Sequence, residues 1–166
     1  MASDILTKYG SKTTLTAAVA SLASDTNLLT GIESSEIDNT SDGFADIIVS
    51  GKVTTGTSPT ASKQIEVWAV AWDGANWPDV FDGTTSSETI TSSDIKNAIC
   101  KPIAIMSTSN TSDRTYWFTG VSLRQAFGGT MPEKCVLFIV HNTGVALNAT
   151  AGNHAFYATG VYPQVQ

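Results

Sequence analysis

His141 and His154 are the natural place to look for chemistry in this chain, because imidazole titrates near neutrality and ligates transition metals. No third ligand stands at a recognisable spacing, and the His-x-His pair of a metal-binding barrel is absent. Both rings are therefore expected to orient loops through hydrogen bonds. Asp73-Gly74-Ala75-Asn76 and Asp79-Val80-Phe81-Asp82-Gly83 offer the carboxylates a hard cation wants. Their spacing does not match the EF-hand loop, and bulky Trp77, Pro78, Val80 and Phe81 stand where a ligand cage needs small residues. Asp-Gly pairs are ordinary turn chemistry. No serine lies in a Gly-x-Ser-x-Gly elbow. Glu33, Glu36, Glu66, Glu88 and Glu133 are the only glutamates, and none is marked as half of a glycosidase acid pair, which converges in space and not in sequence. Gly128-Gly129 comes after a helical stretch, the wrong order for phosphate capture. The chain thus reads as a non-enzyme with no catalytic residue, cofactor or metal.

Composition narrows the function classes further. The 166 residues carry 9 Lys plus Arg against 15 Asp plus Glu, a formal net charge of −6. They include 18 Ser and 23 Thr, while charged residues are only 14%, against roughly 25% in an average soluble domain. A neutral, hydroxyl-rich, acidic chain lacks the basic footprint of backbone-driven nucleic-acid binding. Its apolar runs are far shorter than the roughly 20 residues a membrane helix needs. The first residues lack a basic start and an apolar stretch, so synthesis in a cytoplasm is expected. Cys100 and Cys135 are too few for a disulfide framework, and each sits in an apolar stretch as a small buried hydrophobe. A bridge between them would require their two strands to pair.

Short β-rich runs separated by Gly, Ser, Thr, Asn and Asp predict an all-β protein with an antiparallel sandwich. Residues 64–72 form the clearest strand, with Ile65, Val67, Ala69 and Ala71 on one face. Further strands are expected at 44–50, 98–106, 115–121, 135–142 and 154–162, that at 135–142 buried on both faces. The segment 54–62 reads as a hairpin tip between strands 47–54 and 64–72, and 84–93 as a loop of low bulk. Ser122 with Gln125 makes a capping box and Gly128 a left-handed stop, so one short helical turn fits there, with a second at 93–98. Residues 1–12 read as an N-terminal arm or terminal strand anchored by Ile5, Leu6 and Tyr9. Residues 13–166 then form a single sandwich domain. The aromatic loop 73–83 presents Trp77 and Phe81 as further contact candidates.

Three stretches carry a resemblance. They are Gly51-Lys52-Val53-Thr54-Thr55-Gly56-Thr57-Ser58-Pro59-Thr60-Ala61-Ser62-Lys63-Gln64-Ile65-Glu66-Val67, then Thr111-Ser112-Asp113-Arg114-Thr115-Tyr116-Trp117-Phe118, then His141-Asn142-Thr143-Gly144 with Gly152-Asn153-His154. Together they resemble a family of tailed-bacteriophage virion structural proteins over most of the chain. The resemblance implies a jelly-roll-like β-sandwich that binds the major capsid protein from outside as a decoration or cement protein. By analogy it also implies a homotrimer located on the virion capsid surface. Ile5, Leu6, Tyr9, Trp77 and Phe81 are the expected capsid or subunit contacts. The alternatives are a tail-associated module and a carbohydrate-binding sandwich, whose stacking platform would come from Trp68, Trp72, Trp77, Trp117, Tyr116 and Tyr157.

Overall fold

A computed structural model describes residues 4–165. Ten strands and two short helices follow one another: β1 (Ile5–Leu15), β2 (Thr30–Glu33), β3 (Ile37–Asp38), β4 (Asp46–Thr54), β5 (Gln64–Ala71), β6 (Ser87–Thr89), α1 (Ser93–Ile99), β7 (Cys100–Ser107), β8 (Thr115–Ser122), α2 (Leu123–Ala126), β9 (Lys134–His141) and β10 (Ala155–Val165). Every strand pairing is antiparallel. One sheet has the order β1-β10-β4-β8, and the other runs β6-β2-β9-β5-β7 with β3 also on β9. The protein is an all-β antiparallel sandwich.

Alternation in the strands builds the core. Ile47, Val49 and Val53 of β4, with Phe118 and Phe156, face Ile65, Val67, Leu137 and Ile139 of the second sheet across the interior. The intervening residues of β5 and β9 point the other way. There Val70, Val136, Phe138 and Val140 form a second cluster with Phe81 and Ile90, against which Trp77, Val80, Ile95 and Ile99 pack. Strand β9 is thus buried on both faces, because it lies between β2 and β5 with a core on each side. Segment 73–92 and α1 cover the outside of this sheet.

Local signals placed the helices well. The Ser122 hydroxyl accepts the Gln125 N–H at 3.0 Å, and Gly128 adopts φ +76° where a side chain would be strained. Helix α1 is capped one residue earlier than the expected turn, by Ser92 accepting from Ile95 N–H. Its Lys96 ammonium reaches Glu66 Oε2 on β5 at 2.7 Å, with both side chains 7% exposed. The same oxygen accepts the Trp68 indole N–H at 2.8 Å, and the Lys96 ammonium also donates to the Leu28 carbonyl at 2.7 Å.

Three expectations are corrected. Segment 54–62 is not a hairpin tip: β4 and β5 lie in different sheets, and the segment carries the chain from one to the other. Thr55 bridges to Leu147, and a Cβ on Gly56 would stand 2.2 Å from the Ala146 carbonyl oxygen, so only glycine permits that approach. Segment 84–93 is not all loop, since β6 pairs with β2 at the sheet edge. The boundary expected between residues 12 and 13 falls inside β1. That strand pairs with β10 along its whole length, apart from a bulge between Tyr9 and Lys12. The described part of the segment is therefore a terminal strand, and residues 1–3 of the expected arm lie outside the described residues.

Candidate functional site

The two histidines and the two cysteines are buried and held within the fold. His141 is buried, with Nε2 donating to the Leu22 carbonyl at 3.0 Å and Nδ1 3.0 Å from the Thr143 hydroxyl. His154 Nε2 donates to the Asn148 carbonyl at 2.9 Å, while its Nδ1 accepts the Thr54 N–H. Burial holds both rings below the ordinary histidine range, which keeps them neutral. Cys100 and Cys135 are unbridged. They sit on β7 and β9, which flank β5 without touching each other, and they belong to the cores on opposite sides of the sheet. Burial pushes each thiol up to about 12. Neither is expected to react with a thiol reagent at pH 8 in the folded protein, and both should react on unfolding in guanidinium. Reaction of either thiol before unfolding would contradict this burial.

Among the described residues Glu33 is the one carboxylate whose chemistry is strongly altered. Its side chain is fully buried and accepts the Gly83 N–H at 2.7 Å and the Asp82 N–H at 3.3 Å. Burial, opposed by those two bonds, pushes it up from 4.5 to about 7. This carboxyl fastens the covering segment 73–92 to β2. Because its folded value lies above the unfolded one, its contribution to stability is complete below pH 4.5 and is lost as pH rises through 7. The neutral histidines act in the opposite sense, gaining stability as pH rises towards 6.5. The melting temperature of wild type relative to Glu33→Gln is therefore expected to rise as pH falls from 7.5 to 4.5. A difference independent of pH would refute the assignment. Among the described residues no group of three or more His, Cys, Asp or Glu is placed to hold a metal ion, and no helix is long and apolar enough to cross a membrane.

The distinctive surface is the outside of the four-stranded sheet, which no other described segment covers. The β1–β10 and β10–β4 registers align Ile5, Thr7, Tyr9, Lys12 and Thr14 with Val165, Pro163, Val161, Thr159 and Tyr157, and these with Asp46, Ile48 and Ser50. Trp117 of β8, opposite Lys52, extends the same face. Ile5 is 72% exposed, Tyr9 68%, Trp117 64% and Val165 65%. The charges on this face are Lys12, Lys52 and Asp46. Lys12 lies 4.0 Å from the Tyr157 ring centre and Lys52 5.7 Å from that of Trp117. The Asp46 carboxylate accepts from Ser122 Oγ and Arg124 N–H. An otherwise acidic chain thus presents a face on which apolar and aromatic residues alternate with threonines, a serine and a weakly basic set of charges.

Strand β10 pairs with β4 only from Ala155 to Val161. Beyond that point Ile5–Tyr9 and Val161–Val165 continue as a two-stranded ribbon past the body of the sandwich. Such a ribbon is marginal by itself in water. Tyr162 on its inner side packs on Phe44 with ring centres 6.0 Å apart, bracing the base.

Of the expected contact residues, Ile5, Leu6 and Tyr9 meet on this ribbon and are exposed. Phe81 is corrected: it is 4% exposed, and its ring stands edge-on to Phe138 at 5.3 Å inside the second core. Trp77 is half-buried against that core, with its indole packed on Gly83. The aromatic platform is also dispersed. Trp68, Trp72, Trp77, Tyr116 and Tyr157 are half-buried, and of the six only Trp117 is exposed. Val161 and Val165 were missed as surface residues, since nothing local pairs the end of the chain with its beginning. Comparison of the chain with protein-family models, curated proteins and solved structures finds no match. The class defined by the structure itself is a two-sheet antiparallel β-sandwich with one sheet covered and the other bare.

Proposed function

We propose that this protein is a bacteriophage virion structural protein, a capsid decoration or cement protein that binds the outside of the major capsid protein shell and stabilises it. The observation that carries the reading is the unequal covering of the two sheets. A β-sandwich that buries one outer face under its own segment 73–92, yet leaves Ile5, Tyr9, Trp117 and Val165 exposed on the other, has a face suited to docking. The sequence resemblance supplies the partner. We further infer a jelly-roll topology. With the two- and three-residue strands β3 and β6 set aside, eight strands remain in the orders β1-β10-β4-β8 and β2-β9-β5-β7. All their successive connections change sheet except β5 to β7, the arrangement expected of two Greek keys in a double-sheet roll.

In this reading the work is mechanical and needs no cofactor, nucleic acid or membrane. Binding to the assembled state and not to free subunits stabilises the shell by mass action. Repeated sites make modest contacts sufficient. The chain is made in the host cytoplasm and ends on the virion surface, and the resemblance adds a homotrimer as the assembly.

The test is to incubate purified protein with shells lacking it and count bound copies by electron microscopy. Stoichiometric binding that Ile5→Ser with Tyr9→Ser weakens, at unchanged melting temperature, is the expected result. Substitution is preferred to deletion of residues 1–12, because loss of β1 would bare the β10 edge and lower stability as well. Failure to bind the shell, with density on the tail instead, overturns the decoration reading in favour of a tail-associated module. Exposed Trp117 favours carbohydrate binding as the second reading. Retention on a glycan array that Trp117→Ala removes would establish it.

A further inference from the structure

We infer that the open edge of β1 is a self-recognition strand, in which Ile5–Tyr9 pairs antiparallel with the same segment of a second copy, centred on Thr7. The two parts of this edge are guarded differently. Past Tyr9, the bulge before Lys12 and the charge of Lys12 itself interrupt any incoming strand, two of the devices by which edges avoid pairing. Before the bulge there is no proline, and Ile5, Leu6 and Tyr9 stand exposed. Lys8 is the one charge among these five residues.

The segment is complementary to itself in one register. A continuous sheet keeps opposed residues on the same face, so the centre of a two-fold pairing falls on a residue and the choices are discrete. Centred on Thr7, Ile5 lies opposite Tyr9 of the second copy, Thr7 opposite Thr7, and Leu6 opposite Lys8. A β-branched residue against an aromatic and a threonine pair are both favourable cross-strand combinations. Asp4 then lies diagonal to Lys8 of the other copy, giving opposite charges within reach. A centre on Lys8 would set two ammonium groups face to face. A centre on Leu6 would use only three strand residues, because β1 begins at Ile5, and would leave Tyr9 unpaired.

In the Thr7 register the bare faces of both copies become one. The row Val165, Ile5, then Tyr9 and Val161 of the second copy, runs unbroken across the junction, as the β1–β10 register requires. The contact is isologous and closes at a dimer. A threefold assembly would have to use another surface. Five paired residues bury less than the roughly 1,200 Å² of a stable standard interface, so the dimer is weak and concentration-dependent.

Sedimentation across concentration should show a monomer–dimer equilibrium, and Thr7→Lys, at an exposed position, should be monomeric with an unchanged melting temperature. Under mild oxidation Thr7→Cys should form a disulfide-linked dimer. Ile5→Cys should not link to itself, since the two sites lie about 13 Å apart along the strands, but should link to Tyr9→Cys when the two variants are mixed. The buried Cys100 and Cys135 serve as silent controls. A protein monomeric at every concentration, self-linking of Ile5→Cys or Leu6→Cys in place of Thr7→Cys, or an oligomer that Thr7→Cys does not link, overturns the inference. A monomer that still decorates shells would refute this contact and leave the proposed function standing. A dimer that ignores shells would do the reverse.

Discussion

Lys96→Met is expected to lower stability by about 3–5 kcal/mol, the range for removing one partner of a buried ion pair, which is a fall in melting temperature of roughly 6–20 °C for a domain of this length. The size follows from what is left behind. Glu66 keeps its indole bond from Trp68 but loses the ammonium 2.7 Å away, at a site with 7% side-chain exposure. The Leu28 carbonyl loses its donor as well, and α1 loses the link that ties it to β5. Methionine keeps the helix propensity and most of the stem packing, so the loss reports the charge. Adding Glu66→Gln should recover much of it, because the amide oxygen still accepts from Trp68 and no uncompensated charge remains. Thermal melts of the two variants measure both effects. A single-variant cost below about 1 kcal/mol would mean that water reaches the pair, as at exposed ion pairs.

The second large effect is expected at Phe81→Ala, with a loss of about 3–5 kcal/mol for truncating a buried phenylalanine. Its edge-on contact with Phe138 disappears, and a cavity opens under the segment that Glu33 fastens at Asp82 and Gly83. Binding per folded molecule, in contrast, should be unchanged, because Phe81 lies on the covered side of the second sheet and the bare face is on the first. Differential scanning calorimetry and shell binding at 10 °C separate the two quantities. A variant that melts normally but fails to attach would restore Phe81 to the contact surface from which its burial removes it.

Phe81 shows why the site was harder to read than the fold. An aromatic among aspartates in a glycine-rich segment has the same local signature whether it packs inward or waits for a partner. The decision lies with Phe138, 57 positions away in the sequence. Ile5, Leu6 and Tyr9 stand out in sequence as apolar residues in a polar segment, and their exposure is a fact of the structure. Trp117 was legible as an aromatic on a strand, but its exposure depends on nothing covering that sheet. The histidines followed the ordinary expectation for isolated imidazoles and orient loops through carbonyl and hydroxyl partners.

What the sequence by itself determined is what depends on a residue and its near neighbours. Side chains alternate along a strand, so the pattern of 64–72 and 135–142 specified two strands and their buried faces, and Ser122 with Gln125 and Gly128 specified a helical turn with both ends. The low share of basic residues is a matter of composition, which is independent of arrangement. Only the tertiary structure decided which strand lies beside which. It turned 54–62 from a hairpin into a crossing between sheets, kept Cys100 and Cys135 on opposite sides of one sheet, and joined Ile5–Tyr9 to Val161–Val165 as a ribbon. Pairings between distant segments are selected by the closing of a shared core, and no single stretch of chain contains that information.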